Sequence, residues 1–163
     1  MKRKLVERDE IKIMGLKIRT NNKIEFNPET SHISKLVNNY FTENLAHNIK
    51  HRISPNKTYS IYSEYESDES GEYSYFLGEE VSDFTHQDLS LFTALTIPKQ
   101  RYLCFTTEKG ALPDIIIQSW QSIWQMDEET LKGKRNYIAD FEIFDERCKN
   151  PKDAEVDIFV GIK

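Results

Sequence analysis

Apolar and polar positions alternate with period two along much of the chain and switch to helical spacing in two places. Over residues 10–20 the apolar positions are Ile11 and Ile13, then Leu16 and Ile18, so the phase slips at Met14-Gly15. This predicts a strand with a bulge at Gly15. Asn27-Pro28-Glu29 then supplies an N-cap, a proline at the first helical position and an acid in the first turn. Behind it Ile33, Leu36, Val37, Tyr40, Phe41 and Leu45 fall at helical spacing, predicting an amphipathic helix to about His47. Residues 51–56 carry turn chemistry, and 58–67 and 72–81 alternate with period two about Asp68-Glu69-Ser70-Gly71, which reads as a β-hairpin.

The second half repeats that order. A strand is expected over 91–107, with Pro98 breaking its ladder as a bulge or edge would. A helix follows Pro113 and Asp114, with Ile116, Trp120, Ile123 and Trp124 as its apolar stripe. Residues 136–146 and 155–162 make a second hairpin across a loop holding Asn150-Pro151. The chain thus reads as one α+β domain, 1–163, built from two β-α-β-β units at about 10–82 and 91–163. Neither unit is comfortable alone, so the expected architecture is one curved antiparallel sheet, helices on one face, and a pocket on the other face or at the seam between the halves.

One strand carries a chemical anomaly. In 136–146, period two puts Ile138, Asp140, Glu142 and Phe144 on one face and Tyr137, Ala139, Phe141 and Ile143 on the other. Glu142 sits inside the apolar run ADFEIF. Either it faces water or is structurally bonded, or it pairs with a ligand or does catalysis, because a buried carboxylate is costly without a partner.

Composition narrows the function classes. With 22 Lys plus Arg against 27 Asp plus Glu, the net charge of −5 disfavours phosphate-driven nucleic-acid binding and makes a cationic partner the better electrostatic match. Hydrophobic residues are 38% of the chain but nine Phe, eight Tyr and two Trp make up 12%, an excess of rings suited equally to a core or to stacking walls. Cys104 and Cys148 are far apart with no ligand spacing around them, so reduced buried thiols are expected, with no metal site and no cofactor. His32, His47, His51 and His86 show no ligand pattern and read as surface residues. The acidic stretch 64–72 lacks EF-hand spacing and reads as a solvated hairpin tip. No targeting or membrane-spanning run is present in the sequence, and a cytoplasmic protein is expected.

The runs YSIYSEYESDESGEYSYFLGEEV, TIPKQRYLCFTT, SWQSIWQ, YIADFEIFDER and AEVDIFVGIK together resemble, in order, the GyrI-like small-molecule-binding domain family, also found as the effector-binding part of AraC-type and MerR-type activators. The resemblance covers the chain from about Ile11 to Lys163. It implies a curved sheet enclosing an aromatic-lined central cleft, with a glutamate of the penultimate strand, here Glu142, engaging cationic or amphipathic ligands. The wall residues to expect are then Trp120, Trp124, Tyr102, Tyr62, Phe144 and Phe159, although the two tryptophans, one turn apart, could equally pack the helix onto the sheet, and Tyr62 and Tyr102 could be core rings. Since the first strand is expected near residue 10, the chain as given leaves no room for a preceding DNA-binding unit and is not expected to be a complete regulator.

Three functions follow from the resemblance. The first is a ligand sensor or sequesterer that binds lipophilic cations of the multidrug type through Glu142 and its rings. In the second, Glu142 is the general base of a hydrolase acting on epoxide, cyclopropane or ester substrates, with no second catalytic residue in view. The third is an inhibitor whose acidic surface engages DNA gyrase or another protein, or works beside a separate regulator.

Overall fold

The structure is a computed structural model describing residues 1–163. Period-two segments form strands β1 (Lys2–Arg8), β2 (Ile11–Asn21), β3 (Thr58–Ser63), β4 (Glu72–Glu80), β5 (Thr93–Ile97), β6 (Gln100–Thr106), β7 (Ala139–Phe144) and β8 (Asp157–Ile162). The helices are α1 (Asn22–Glu25), α2 (Ile33–Thr42) and α3 (Asp114–Trp124). All strand pairs are antiparallel, in the order β1-β6-β8-β7-β3-β4-β2-β5. The expected α+β duplication is visible in that order. The unit β2-α2-β3-β4 supplies the block β3-β4-β2, the unit β6-α3-β7-β8 supplies β6-β8-β7, and the two join where β3 pairs with β7.

The repeat carries one more strand per unit than the sequence pattern suggests. β1 and β5 each lead into their unit through a two-residue link, Asp9-Glu10 or Pro98-Lys99, and each pairs with the first strand of the other unit: β1 with β6, β5 with β2. A link this short spans only about 10 Å. It therefore draws one edge of the sheet towards the other, and the sheet curls into an open roll. Pro98, which has no N–H to donate, lies in the second link and splits the expected 91–107 strand completely rather than bulging it.

Three local expectations change. No bulge occurs at Gly15: the β2–β4 register runs without interruption from Ile13↔Glu80 to Asn21↔Glu72. Gly15 instead faces Gly78 so closely that a Cβ on it would lie 2.2 Å from the Leu77 carbonyl oxygen. The phase slip marks a change of buried face, since Ile11 and Ile13 point into the roll while Met14, Leu16 and Ile18 pack beneath α2. The first long helix starts at Ile33, not behind Asn27. Asn21 caps the short α1 through Ile24 N–H at 2.9 Å, and the chain turns at Asn27, whose side chain accepts from Glu29 N–H at 3.0 Å. The open amides of His32 and Ile33 donate instead to the Glu25 carboxylate at 3.2 and 3.0 Å. α2 ends at Thr42, and Asn44, in the left-handed region at φ 54°, leads into a separate 3-10 turn over Leu45–Asn48. Phe41 consequently falls outside the core, 52% exposed. Finally, β7 begins at Ala139 because Tyr137 is left-handed, at φ 52°, so the expected alternation fails at Tyr137 and Ile138.

Side chains fill the interior of the roll. Phe141 stacks on Phe159 at 4.6 Å between centroids and meets Tyr102 edge-on at 5.2 Å, while the Arg8 guanidinium lies 5.3 Å from the Phe159 ring centroid and 5.5 Å from that of Phe141. The helices cover the outer face in two clusters, α3 over β6 and β8, and α2 over β2 and β4. No helix is long and apolar enough to cross a membrane. Both cysteines are free, Cys104 buried and Cys148 only half-buried, short of the burial expected for it.

Candidate functional site

Alternation along β7 assigns Phe141 and Ile143 to the interior of the roll and Glu142 and Phe144 to the face beneath the helices. Glu142 lies at the seam, directly opposite Ser60 of β3, and is 1% exposed. Trp120 of α3 donates its indole N–H to Glu142 Oε1 at 2.6 Å, and the Tyr62 hydroxyl donates to the same oxygen at 2.9 Å. Helix, first unit and second unit thus converge on one carboxylate oxygen.

The surroundings are aromatic. The Tyr62 ring sits 5.5 Å from each of Trp120, Tyr73 and Tyr75, edge-on to all three. Ser60 and Tyr75 share a hydrogen bond of 2.7 Å beside the carboxylate. Trp120 stacks on Trp124 at 6.3 Å, and Trp124 in turn meets Phe26, from the turn after α1, at 5.4 Å. Phe26 is 43% exposed, so a row of rings leads from solvent, across the gap between the two units, down to Glu142.

Burial pushes the Glu142 carboxyl up to about 7, although hydrogen bonds from Trp120, Tyr62 and Ser60 pull the other way. Burial also raises the Tyr62 phenol well above its usual range, reinforced by the Glu142 charge, so Tyr62 is a donor and not a base. Trp120, Tyr62 and Ser60 are all neutral. The contrast with two other buried acids is instructive. Asp140 takes Arg135 at 2.6 Å, the Tyr65 hydroxyl at 2.6 Å and Gly161 N–H at 2.8 Å. Glu79, also raised by burial, accepts from Tyr40 at 2.9 Å and Thr58 at 2.8 Å and has Arg52 at 3.9 Å. Glu142 alone of these three buried carboxylates has no cation beside it. Its low exposure also closes it off from solvent.

Of the residues expected from sequence, the structure gathers Glu142, Tyr62 and Trp120 in direct contact, with Trp124 stacked behind and Phe144 half-buried on the same face. Tyr102 and Phe159 are placed elsewhere. Both point into the roll, on the opposite face of the sheet from Glu142, because β6 and β8 present Leu103, Phe105, Ile158 and Val160 to α3. They pack with Phe141 and do not line the Glu142 site.

Several residues at the site had no sequence signal. Ser60 reaches Glu142 only through the β3–β7 register, and Phe26 only through packing between units. Tyr73 and Tyr75 could have been found by pairing the hairpin, since Tyr75 lies opposite Tyr62. The hairpin tip is also less solvated than expected: Glu69 accepts from the Tyr137 hydroxyl at 2.6 Å and from Arg135 at 3.4 Å, tying the tip to the Asp140 pair. No group of three or more His, Cys, Asp or Glu side chains is arranged to hold a metal ion.

Residues 4–162 match the family described as integron-associated effector binding protein. Bacillus subtilis (strain 168) YobU, named as a candidate transcriptional regulator, is 27% identical over 151 residues, covering 91% of this chain and 90% of that protein. An integron cassette protein from the mobile metagenome of Vibrio cholerae superposes with a TM-score of 0.74 at 22% identity, over 99% of this chain and 95% of its own. SAV2435, solved bound to tetraphenylphosphonium, superposes with a TM-score of 0.76 at 14% identity, over 100% of this chain and 94% of its own.

Proposed function

Because the chain belongs to the integron-associated effector-binding protein family, which has the GyrI-like fold, we propose that it binds a lipophilic cation or cationic amphiphile, with Glu142 as counter-charge. Trp120, Trp124, Tyr62 and Phe144 supply the walls. One observation carries this reading: a fully buried carboxylate, ringed by aromatics, whose partners are all neutral. Such a group is costly while ionised and gains most from a desolvated cation. Ring faces add cation–π attraction, worth about 2 kcal/mol or more once water is excluded.

In the free protein, Trp120 and Tyr62 occupy Oε1 and cover the acid. A ligand enters by tilting Trp120 off the carboxylate along the Trp124–Phe26 row, exchanging one neutral hydrogen bond for an ion pair. SAV2435, of the same fold, binds tetraphenylphosphonium, which supports the ligand class. YobU, named as a candidate regulator, supports a role in gene regulation, in which this domain reports or sequesters the effector.

The test is a tryptophan-fluorescence titration with tetraphenylphosphonium between pH 5.5 and 8.5. Only the ionised acid pairs with a cation, and the free carboxyl titrates near 7. Affinity is therefore expected to fall about tenfold per pH unit below that value and to level off above it. Glu142→Gln should weaken binding about tenfold or more at pH 8 and abolish the pH dependence. Equal affinity in wild type and variant would remove Glu142 from the site.

A carboxyl near 7 beside a phenol donor also suits general-base hydrolysis. In that reading Glu142 takes a proton from water as it attacks an epoxide, cyclopropane or ester, while Tyr62 donates to the leaving atom, an oxygen in the epoxide or ester and a carbon in the cyclopropane. No turnover above background with such probes would reject it. The gyrase-partner reading has only the net charge of −5 behind it and gains nothing from the site.

A further inference from the structure

The end of the roll on the other side of the sheet from Glu142 holds a cleft of about 320 Å³. Its walls are Leu95 and Ile97 of β5 with Pro98 of the link to β6, Ser63 at the end of β3 with Tyr65 just beyond it, and Ile138 with Ala139 at the start of β7. Ser63 and Ala139 are directly opposite in the β3–β7 register, so the cleft sits where the seam runs out. The curl of the sheet creates it: β5 is carried across the roll's open end by its two-residue link and stops short of the seam strands.

Three independent features mark this cleft. The Ser63 hydroxyl is buried yet has no hydrogen-bond partner in the protein, and Ser63 itself is 3% exposed. An unmet buried hydroxyl destabilises the fold, having lost water without gaining a partner. Two residues of the lining, Glu64 at φ 50° and Tyr137 at φ 52°, are held in the left-handed region, an unfavourable conformation for bulky side chains. The surrounding protein holds them there, through Tyr137 donating to Glu69 at 2.6 Å and Arg19 donating to the Glu64 carbonyl. Apart from Ser63, Glu64 and the exposed Thr96 the lining is mainly apolar and aromatic, and Ile138 leaves 48% of its surface in water although it borders the core. An unmet donor, stored strain and uncovered apolar surface meet in one concavity.

We propose that this cleft is a second small-molecule site, for a compact neutral molecule with an aromatic or alicyclic body and a single oxygen acceptor, a phenol or cyclic alcohol in type. The body covers Ile97 and Ile138 and packs against Tyr65 and Tyr137, and the oxygen accepts a hydrogen bond from the Ser63 hydroxyl, which is buried in the free protein and is uncovered as the ligand seats. A cation has no claim here, because the one acidic side chain of the lining, Glu64, is already paired with Lys17 at 3.0 Å. The site is separate from Glu142 in face, charge and ligand class.

The experiment uses 4-fluorophenol as probe, followed by 19F and amide NMR titration of the full chain. The expected result is saturable shifts at the amides of Ser63, Glu64, Leu95, Ile138 and Ala139, unaffected by saturating tetraphenylphosphonium. Ser63→Ala should weaken the probe about fivefold while raising the melting temperature of the free protein, since it deletes an unmet hydroxyl. A serine that merely supports the fold would lose stability instead. Ile138→Glu, an exposed change that keeps the fold, should weaken the probe further by placing a charge against its body. Shifts at Glu142 and Trp120, displacement by tetraphenylphosphonium, or unchanged affinity in Ser63→Ala would each overturn the assignment.

Discussion

Replacing Glu142 with Gln should make the protein more stable, by an amount set by pH. The carboxyl titrates near 7 in the folded protein against an ordinary value of 4.5, and burial is the main cause. Between those values the folded chain holds a proton that the unfolded chain has released. Stability from this group is therefore complete below pH 4.5 and is lost as pH rises to about 7. The loss amounts to about 3 kcal/mol, at about 1.4 kcal/mol per pH unit. Gln is uncharged throughout and its carbonyl can still accept from Trp120 and Tyr62, so it keeps both hydrogen bonds and avoids the loss. The variant should match wild type near pH 4 and exceed it by up to about 3 kcal/mol at pH 8, or about 6–12 °C in melting temperature for a chain of this size. Glu79, whose carboxyl is also raised by burial, contributes the same slope to both proteins and cancels in the difference. Urea unfolding of both proteins at half-unit pH steps measures it directly. A difference that does not change with pH, or a Gln variant less stable at pH 8, would refute the picture of an unpaired buried carboxylate. A gain in stability together with a loss of cation binding would identify a group kept for its ligand rather than for the fold.

Other consequences can be checked on the same material. Trp120→Phe removes a hydrogen bond that pulls the Glu142 carboxyl down, so that group should titrate higher than in wild type when followed by 13C NMR of labelled glutamate; an unchanged or lower value would contradict the Trp120 contact. Arg135→Met leaves Asp140, buried with 0% exposure, without its cation, and should cost about 3–5 kcal/mol in urea unfolding, whereas a loss below about 1 kcal/mol would show that the pair is not what neutralises Asp140. Gly15→Ala places a methyl against the Leu77 carbonyl and should destabilise by about 2 kcal/mol or more, read from the thermal midpoint.

Much of the fold was legible because it rests on local periodicity. The hairpin over 58–81, the helix behind Pro113 and the duplicated order all appear in the pattern of apolar positions, and Glu142 stood out as a charge in an apolar strand. What was misread depended on partners distant in sequence. β1 has Leu5 and Val6 among charged residues and becomes a strand only because β6 offers it an edge. The start of α2 was misplaced because Glu25, from outside the helix, caps it more effectively than the local Asn27 signal implied.

The face on which each ring lies follows the same division. By itself the sequence determined which residues alternate within a strand, and so that Phe141 and Glu142 must part company, since the pleat turns successive side chains to opposite sides. It could not determine that Tyr102 and Phe159 fall with Phe141 and away from Glu142. That depends on the β6–β8 and β7–β8 registers and on which face α3 covers. Only the assembled sheet settles it, because pairing strands from two units decides which side of each becomes the interior of the roll, and a one-residue change of register would reverse the answer.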